Sequence, residues 1–395
     1  MTLPSTSVSL CGIKLRSPLI LSACAIGEYG KQLMKAAKAG AAAVVTQTLV
    51  DQERYKFRGP KDPTPHQIKV LETAKGLTVC GAGKGMRFSY DEWVDREFKL
   101  ALKGGIPVIL SMSTIGSKAN PDADATVAKT FEQLGASAIE LNFAPTWFPN
   151  RAGGVWRLSE APYIISALKK AVKIPIIPKI PYILDVVPVA KMLEEAGADA
   201  IHVEGATAIL FIDVDLCRPV EPSMSGYNEM SGEAAKPFAV RCIAEIVKGG
   251  VKIPILGSGG VFNGRDVAEY VMAGAICVEM ATAPMHFGLG VFRRINTELK
   301  NFMKEKGYQT LEDLRGKALK YIDPKYSHIG EFKAVVDPNL CDACGLCRIP
   351  CDSTHEAISV DLVAHIDQDK CAGCAYCLVK CPRGAISLKG WPPAE

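Results

Sequence analysis

Short apolar runs at 18–22, 43–47, 107–111, 138–142, 174–180, 200–204, 253–257 and 276–280 alternate with amphipathic stretches such as 160–172, 184–196 and 264–273. Brief apolar runs bounded by glycine or proline predict buried strands, and the longer 3.6-periodic stretches predict helices. Four phrases (AGAAAVVT, LGASAIEL, AGADAIHV and AGAICVEM) place small residues and a glycine directly before such a run. That is where a helix ends and a buried strand begins. Eight β–α units in about 300 residues predict a (β/α)8 barrel, that is, a TIM-barrel α/β fold. A doubly wound sheet fits less well, because no G-x-G-x-x-G follows the first strand. The barrel is expected over residues 1–320, a linker over 321–336, and a small α+β domain over 337–395.

The remaining composition narrows the class. Of the 395 residues, 48% are hydrophobic and 22% charged, as in an ordinary globular chain. The net charge of +4 is too small to argue for nucleic acid. No stretch approaches the ~18 apolar residues of a membrane helix. The N-terminal MTLPSTSVSLCGIKL lacks the basic and apolar regions of a secretion signal. A cytoplasmic protein is expected.

Cysteine usage is the unusual feature. Of fourteen cysteines, Cys11, Cys24, Cys80, Cys217, Cys242 and Cys277 are scattered through the first 336 residues, and eight crowd into the rest. Scattered cysteines in such a chain are ordinarily small buried hydrophobes. The crowded ones read Cys341-x2-Cys344-x2-Cys347-x3-Cys351 and Cys371-x2-Cys374-x2-Cys377-x3-Cys381-Pro382. This is the bacterial ferredoxin spacing, in which three thiolates hold one [4Fe–4S] cube and the fourth ligates the other. One cluster is therefore expected on Cys341, Cys344, Cys347 and Cys381, the other on Cys371, Cys374, Cys377 and Cys351. Zinc sites have no use for the third cysteine and the x3 gap, and nothing indicates the oxidising compartment a disulfide scaffold needs. Each half ends in a similar segment, EAISV or GAISL, which marks an internal duplication. The tail carries eight acids and five bases, net −3 against +4 for the whole chain.

Barrel chemistry collects at the C-terminal ends of the strands, and phosphate usually binds after strands 7 and 8. Gly257-Ser258-Gly259-Gly260 follows strand 7, Ala281-Thr282 follows strand 8, and Ser231-Gly232 is read as opening the helix before strand 7. Glycines there bring backbone N–H groups close to an anion, so a phosphate-bearing cofactor is expected. Lys179, in PIIPKIPY, and Asn142 end buried strands. A buried lysine or amide requires partners, so these two are candidates for the chemistry.

Together these segments resemble the flavin barrel of the dihydroorotate and dihydropyrimidine dehydrogenases. SPLILSAC is similar to the family's first strand, VVTQTL to its second, IELNF to its fourth, PKIPY to its fifth and PILGSGG to its seventh. CRIPCDSTHEAI resembles the iron–sulfur tail of dihydropyrimidine dehydrogenase. The resemblance implies FMN, with its phosphate at Ser231, Gly232, Gly259, Gly260, Ala281 and Thr282, and its ring near Ala23, Cys24, Gln47, Thr48, Asn142 and Lys179. It also implies an oligomer.

The departures from the family concern the chemistry. Gln47 stands where the family has a lysine, which alters the expected flavin potential. After strand 4 the family runs Asn-Leu-Ser-Cys-Pro, whereas this chain has Asn142-Phe143-Ala144-Pro145-Thr146, and the loop to Glu160 holds no cysteine. Gly205-Ala206 replaces the asparagine–threonine pair that reads a pyrimidine edge, and an asparagine expected around 115–117 is missing. Loss of such partners discriminates strongly against a polar substrate, so pyrimidines are expected to bind poorly. Trp147, Phe148, Trp156, Arg151 and Arg157 line or cover the site instead, suited to a flatter molecule bearing a carboxylate or phosphate. Thr146, Ser159, His202, Glu204 and Tyr182 are proton-donor candidates, and Asn142, Lys179 and Thr146 are the catalytic set expected. The function expected is hydride exchange between FMN and an organic CH–CH substrate, with single electrons passed through two [4Fe–4S] clusters. A separate electron-transfer protein, a flavoprotein subunit oxidising NAD(P)H or a soluble ferredoxin would complete the circuit. Two other readings stay open: a non-catalytic flavo-iron–sulfur electron-transfer subunit, and a dihydropyrimidine dehydrogenase with an unconventional acid.

Overall fold

The computed structural model describes residues 3–49, 68–72, 77–81, 88–113, 121–143, 158–219, 228–323 and 332–390. The chain divides into two compact units, Met1–Lys320 and Tyr321–Glu395.

In the first unit eight parallel strands close a barrel in chain order. They are Leu19–Leu21 (β1), Ala43–Val45 (β2), Val108–Met112 (β3), Ala138–Asn142 (β4), Ile176–Ile180 (β5), Ile201–Val203 (β6), Ile255–Ser258 (β7) and Cys277–Met280 (β8). Six fall inside the apolar runs, and β3 and β7 each extend one residue beyond theirs, to Met112 and Ser258. These runs are apolar on both faces because the outer face packs on helices and the inner face on the barrel core.

The interior is layered. Ile20, Ala43, Ile109, Ala138, Ile177, Ala200, Leu256 and Cys277 form an apolar floor. The hairpin Val8–Leu10/Ile13–Leu15 closes it from below with Leu10 and Leu15. Two residues further along seven of the strands, on the same face by the period of 2, the side chains turn polar, while β2 places Val45 there. Ser22, Ser111, Glu140, Lys179, His202, Ser258 and Glu279 are all buried. Register sets them side by side: Ser111 opposite Glu140, Lys179 opposite His202, and Ser258 opposite Glu279.

Two features differ from the sequence reading. Thr207–Ile209, Asn228–Gly232, Leu77–Gly81 and Ile68–Glu72 form a four-stranded antiparallel sheet. Ser231 and Gly232 therefore end a strand rather than open a helix. Gly232 has φ 93°, and a 3-10 turn at Glu233–Ala235 precedes the helix Lys236–Lys248. In the second unit the end of the expected linker is a strand, Lys333–Val336, paired antiparallel with Ile386–Lys389. Ala334 in it is buried and donates its N–H to Cys371, which ties the segment to the cysteine core. A hairpin Ile358–Val360/Ala364–Ile366 and short helices Arg348–Asp352 and Tyr376–Lys380 complete that unit.

Candidate functional site

The polar layer is one connected network. The Asn142 amide donates to Thr48 Oγ1 at 3.1 Å, and Thr48 meets Ser111 at 2.9 Å. Ser111 donates to Glu140 Oε1 at 2.8 Å. Glu140 Oε2 lies 2.8 Å from His202 Nδ1, and His202 Nε2 lies 2.9 Å from Ser258 Oγ. Ser22 donates to Glu279 Oε2 at 2.8 Å, while Glu279 Oε1 is 3.4 Å from His202 Nδ1. The Lys179 ammonium sits 3.5 Å from Glu204 and 3.9 Å from Glu140, with its side chain only 4% exposed.

Burial and charged neighbours together decide the protonation states. Burial alone would raise Glu140, but Lys179, His202 and Ser111 hold that carboxyl down at about 2. Lys179 stays charged: burial opposes its charge, yet Glu140, Glu204 and Glu279 hold it above its ordinary value. Burial keeps His202 below its ordinary value, so the imidazole is neutral. The network then assigns the proton to Nδ1, facing Glu140, with Nε2 accepting from Ser258. Burial, and then the neighbouring Glu140 charge, push Glu279 well above the carboxylate range. Burial also drives Glu204 up to about 8, Lys179 opposing and Glu229 and Glu140 assisting. Glu140, His202 and Glu279 bring ligand atoms within 4.8 Å of one another. Lys179, Ser22 and Ser111 already serve those carboxylates, so the trio is a hydrogen-bonded core with Glu140 paired to Lys179.

Above this layer the backbone forms a cradle. A Cβ on Gly205 would meet the Ser258 carbonyl oxygen at 1.8 Å, and one on Gly260 would meet the Gly232 oxygen at 2.8 Å. Gly259 and Gly260 have φ 100° and 65°, which only glycine adopts readily. Ser231 Oγ lies 3.1 Å from Thr282 Oγ1, and Ala281 precedes Thr282 at the end of β8. Ser231, Gly232, Gly259, Gly260, Ala281 and Thr282 thus converge across 51 residues of sequence. The cradle fits a phosphate-bearing group: backbone of Gly232, Gly259 and Gly260 and the hydroxyls of Ser231 and Thr282 meet there.

The residues expected around a flavin ring also lie at this end. Cys24 starts a 3-10 turn, Ala25–Glu28, whose Gly27 accepts the Gln47 N–H at 3.0 Å. Burial raises the Cys24 thiol to about 11, with Lys179 and Glu279 among the charges acting on it. Ala23 packs on the floor cluster beside it. Thr146, with Trp147, Phe148, Arg151, Trp156 and Arg157, lies outside the described residues. Ser159 is exposed, and Tyr182 packs its ring on Phe238 at 4.9 Å, which gives it a packing role. Glu140, Glu279, Ser22 and Ser111 were missed by the sequence reading, and Ser258, read there only as part of the glycine run, contacts His202 in the polar layer.

In the second unit Cys341, Cys344, Cys347 and Cys381 line one hollow. Cys351, Cys371, Cys374 and Cys377 line another. Each triplet wraps a turn containing two left-handed residues, Ala343 and Gly345 in one, Gly373 and Ala375 in the other. Backbone N–H groups point at four sulfurs in matched pairs. Ala364 donates to Cys341 and Ala334 to Cys371, both at 3.4 Å; Ala357 donates to Cys351 at 3.2 Å and Ala385 to Cys381 at 3.3 Å. A set of four thiols with N–H donors behind the sulfurs fits an iron–sulfur cube.

A family model described as dihydroorotate dehydrogenase matches residues 5–303, three quarters of the chain. The chain belongs to the dihydroorotate dehydrogenase family. A model described as a 4Fe-4S binding domain matches residues 363–386. Among similar proteins is the dihydroorotate dehydrogenase B (NAD(+)) catalytic subunit of Methanothermobacter thermautotrophicus, 32% identical over 314 residues, covering 78% of this chain and 97% of that protein. The namesake from Thermoplasma volcanium is 30% identical over 322 residues, 80% of this chain and 98% of its own length. About a fifth of this chain is additional to the first relative. Membership in the dihydroorotate dehydrogenase family makes the chain an oxidoreductase of the CH–CH class, with FMN and [4Fe–4S] clusters as redox groups. Among the described residues no helix is long and apolar enough to cross a membrane.

Proposed function

We propose that the barrel mouth holds FMN against an organic substrate whose CH–CH bond is oxidised or reduced, and that the tail relays electrons to a partner protein. FMN, when bound, supplies two-electron exchange with substrate and single-electron exchange with the clusters. The observation that carries the barrel reading is the buried Lys179 ammonium, joined through Glu140, Ser111 and Thr48 to Asn142. Lys179 offers fixed positive charge where the ring gains negative charge. Asn142 and Thr48 offer polar groups already oriented by the same network, and Gln47 offers an amide without charge. Backbone N–H groups around Gly259 and Gly260, with Ser231 and Thr282, would hold the phosphate. In the tail, the two hollows supply the eight thiolates of two clusters.

The substrate class follows from Gly205. Its backbone is packed on Ser258 and Gly259 so closely that no larger residue fits, and this is where the resembling enzymes carry an asparagine for the pyrimidine edge. A substrate less polar than a pyrimidine fits better. The relatives are named as catalytic subunits, which supports a separate electron-transfer subunit as the partner.

Anaerobic purification with flavin and iron quantitation on one sample tests the scheme. One FMN and about eight irons per chain are expected, and eight irons without flavin would end the barrel reading. Reoxidation of the reduced protein by a panel of unsaturated acids, thioesters and pyrimidines then tests the substrate. Fast reoxidation by a pyrimidine alone would overturn the assignment from Gly205. Silence from every compound would favour an electron-transfer subunit without a substrate.

A further inference from the structure

Among the described residues Glu204 is the one carboxylate of the cluster with an unsatisfied atom. Glu140 and Glu279 are each held by serine hydroxyls and by His202. Glu204 Oε1 faces Lys179 at 3.5 Å, but Oε2 is buried and has no hydrogen-bond partner among the described residues. A buried carboxylate oxygen left unpaired costs too much to be kept ionised without reason. The strand register fixes the location: the Glu204 backbone N–H donates to Ile180 at 2.9 Å, one residue past Lys179 on the neighbouring strand. The side chain is 13% exposed, so protons reach it from solvent, whereas Glu140 beneath is sealed.

We propose that Glu204 is the proton-exchanging partner of Lys179, taking a proton from solvent when negative charge forms beside that ammonium at the barrel mouth and releasing it when the charge leaves. The inference rests on the reading of the barrel as a flavin site. It makes Glu204 a positioning residue, acting through Lys179. Protonated, Glu204 leaves the ammonium free to face a developing anion. Ionised, it neutralises the ammonium and repels the anion.

The charged groups around it agree with that role. Lys179 on β5 favours the ionised form, while Glu140 on β4 and Glu229 on the strand Asn228–Gly232 oppose it. His202, two residues earlier, is neutral and turned to Glu140. Burial is the largest influence, and the balance falls at about 8. An anion beside Lys179 adds a further like charge, so it raises the affinity of Glu204 for its proton. Above that pH, reduction therefore draws in one more proton than it does below.

Anaerobic spectroelectrochemical titration of the flavin in the full-length holoprotein, below and above pH 8, tests this against Glu204→Gln. The glutamine keeps the shape and mimics the protonated state at every pH. The two potentials are expected to coincide in acid. Above pH 8 the wild-type reduction equilibrium falls an extra tenfold per pH unit relative to the variant, about 30 mV for a two-electron couple. Parallel slopes over the whole range overturn the proposal. A second readout needs no flavin: infrared pH titration of the full chain labelled with carbon-13 glutamate. A protonated-carboxyl band that disappears near pH 8, and is missing from Glu204→Gln, supports the proposal. Titration of every glutamate in the ordinary carboxylate range overturns it. Absence of flavin from the purified protein would count against the barrel reading, and the infrared result would still judge Glu204.

Discussion

His202 and Glu140 face each other at 2.8 Å, both side chains wholly enclosed by the barrel. The contact is a neutral imidazole donating to a carboxylate, and the compensating charge comes from Lys179, 3.9 Å from the other oxygen of Glu140. The buried core is balanced: one ammonium against one carboxylate, with Glu279 protonated and His202 neutral.

Glu140→Gln removes that balance. Among the described residues Lys179 would keep one ion-pair partner, Glu204, a carboxyl that is largely protonated near neutral pH. Breaking a buried pair by removing one partner costs about 3–5 kcal/mol. Denaturant unfolding of the full chain should show that loss in Glu140→Gln. The double variant with Lys179→Met should recover part of it, since the stranded charge is gone. A Glu140→Gln protein as stable as wild type would show that Lys179 finds its compensation elsewhere.

Stability should also respond to Glu204. In the unfolded chain this carboxyl titrates near its ordinary 4.5, and in the folded barrel at about 8. Between those values the folded state holds a proton that the unfolded state has lost, so stability falls as pH rises through the window. The cost is absent below pH 4.5 and complete above pH 8. Glu204→Gln carries no such titration, so its advantage over wild type should grow from pH 4.5 to 8 and then level off. Unfolding midpoints of the two proteins across that range check this, and a constant difference would contradict it.

The barrel was legible because every strand is a short apolar run between glycine-bearing helix ends, as in AGADAIHV before β6. The polar layer was not. Glu140 sits inside AIELN and Glu279 inside AICVEM, where apolar outward-facing neighbours disguise the alternation that turns them inward. Lys179 and Asn142 stood out only because they lie close to strand ends. The antiparallel sheet was missed for a different reason. Its strand Asn228–Gly232 pairs with Leu77–Gly81, roughly 150 positions away, and no local pattern encodes so distant a partner. The cysteine grouping was readable because the spacing alone sets which thiols share a turn.

The shared hollows make the cysteine crossing testable. Cys381 lies with Cys341, Cys344 and Cys347, and Cys351 lies with Cys371, Cys374 and Cys377. Cys381→Ser should therefore give the same residual cluster spectrum as Cys344→Ser. Cys351→Ser should match Cys374→Ser. Each variant should retain about four of eight irons when purified anaerobically. Spectra pairing Cys381→Ser with Cys374→Ser would reverse the grouping.

Gly205→Ala probes the closeness of β6 and β7. The added Cβ would fall 1.8 Å from the Ser258 carbonyl oxygen and 2.4 Å from Gly259 Cα. Both are backbone atoms, so neither can rotate away. Ser258 also accepts the Gly205 N–H at 3.0 Å and contacts His202, so displacing it disturbs the polar layer and the cradle together. Overpacking of this kind costs about 1–3 kcal/mol, and Gly205→Ala should lose both thermal stability and flavin occupancy. Gly290→Ala is the matched control. Its Cβ meets nothing within 4 Å and its φ is −59°, so its stability should stay within about 0.5 kcal/mol of wild type. If Gly205→Ala kept full flavin occupancy and stability, β6 and β7 would have room to separate. An asparagine at 205 would then be sterically admissible, and the argument against a pyrimidine substrate would lose its support.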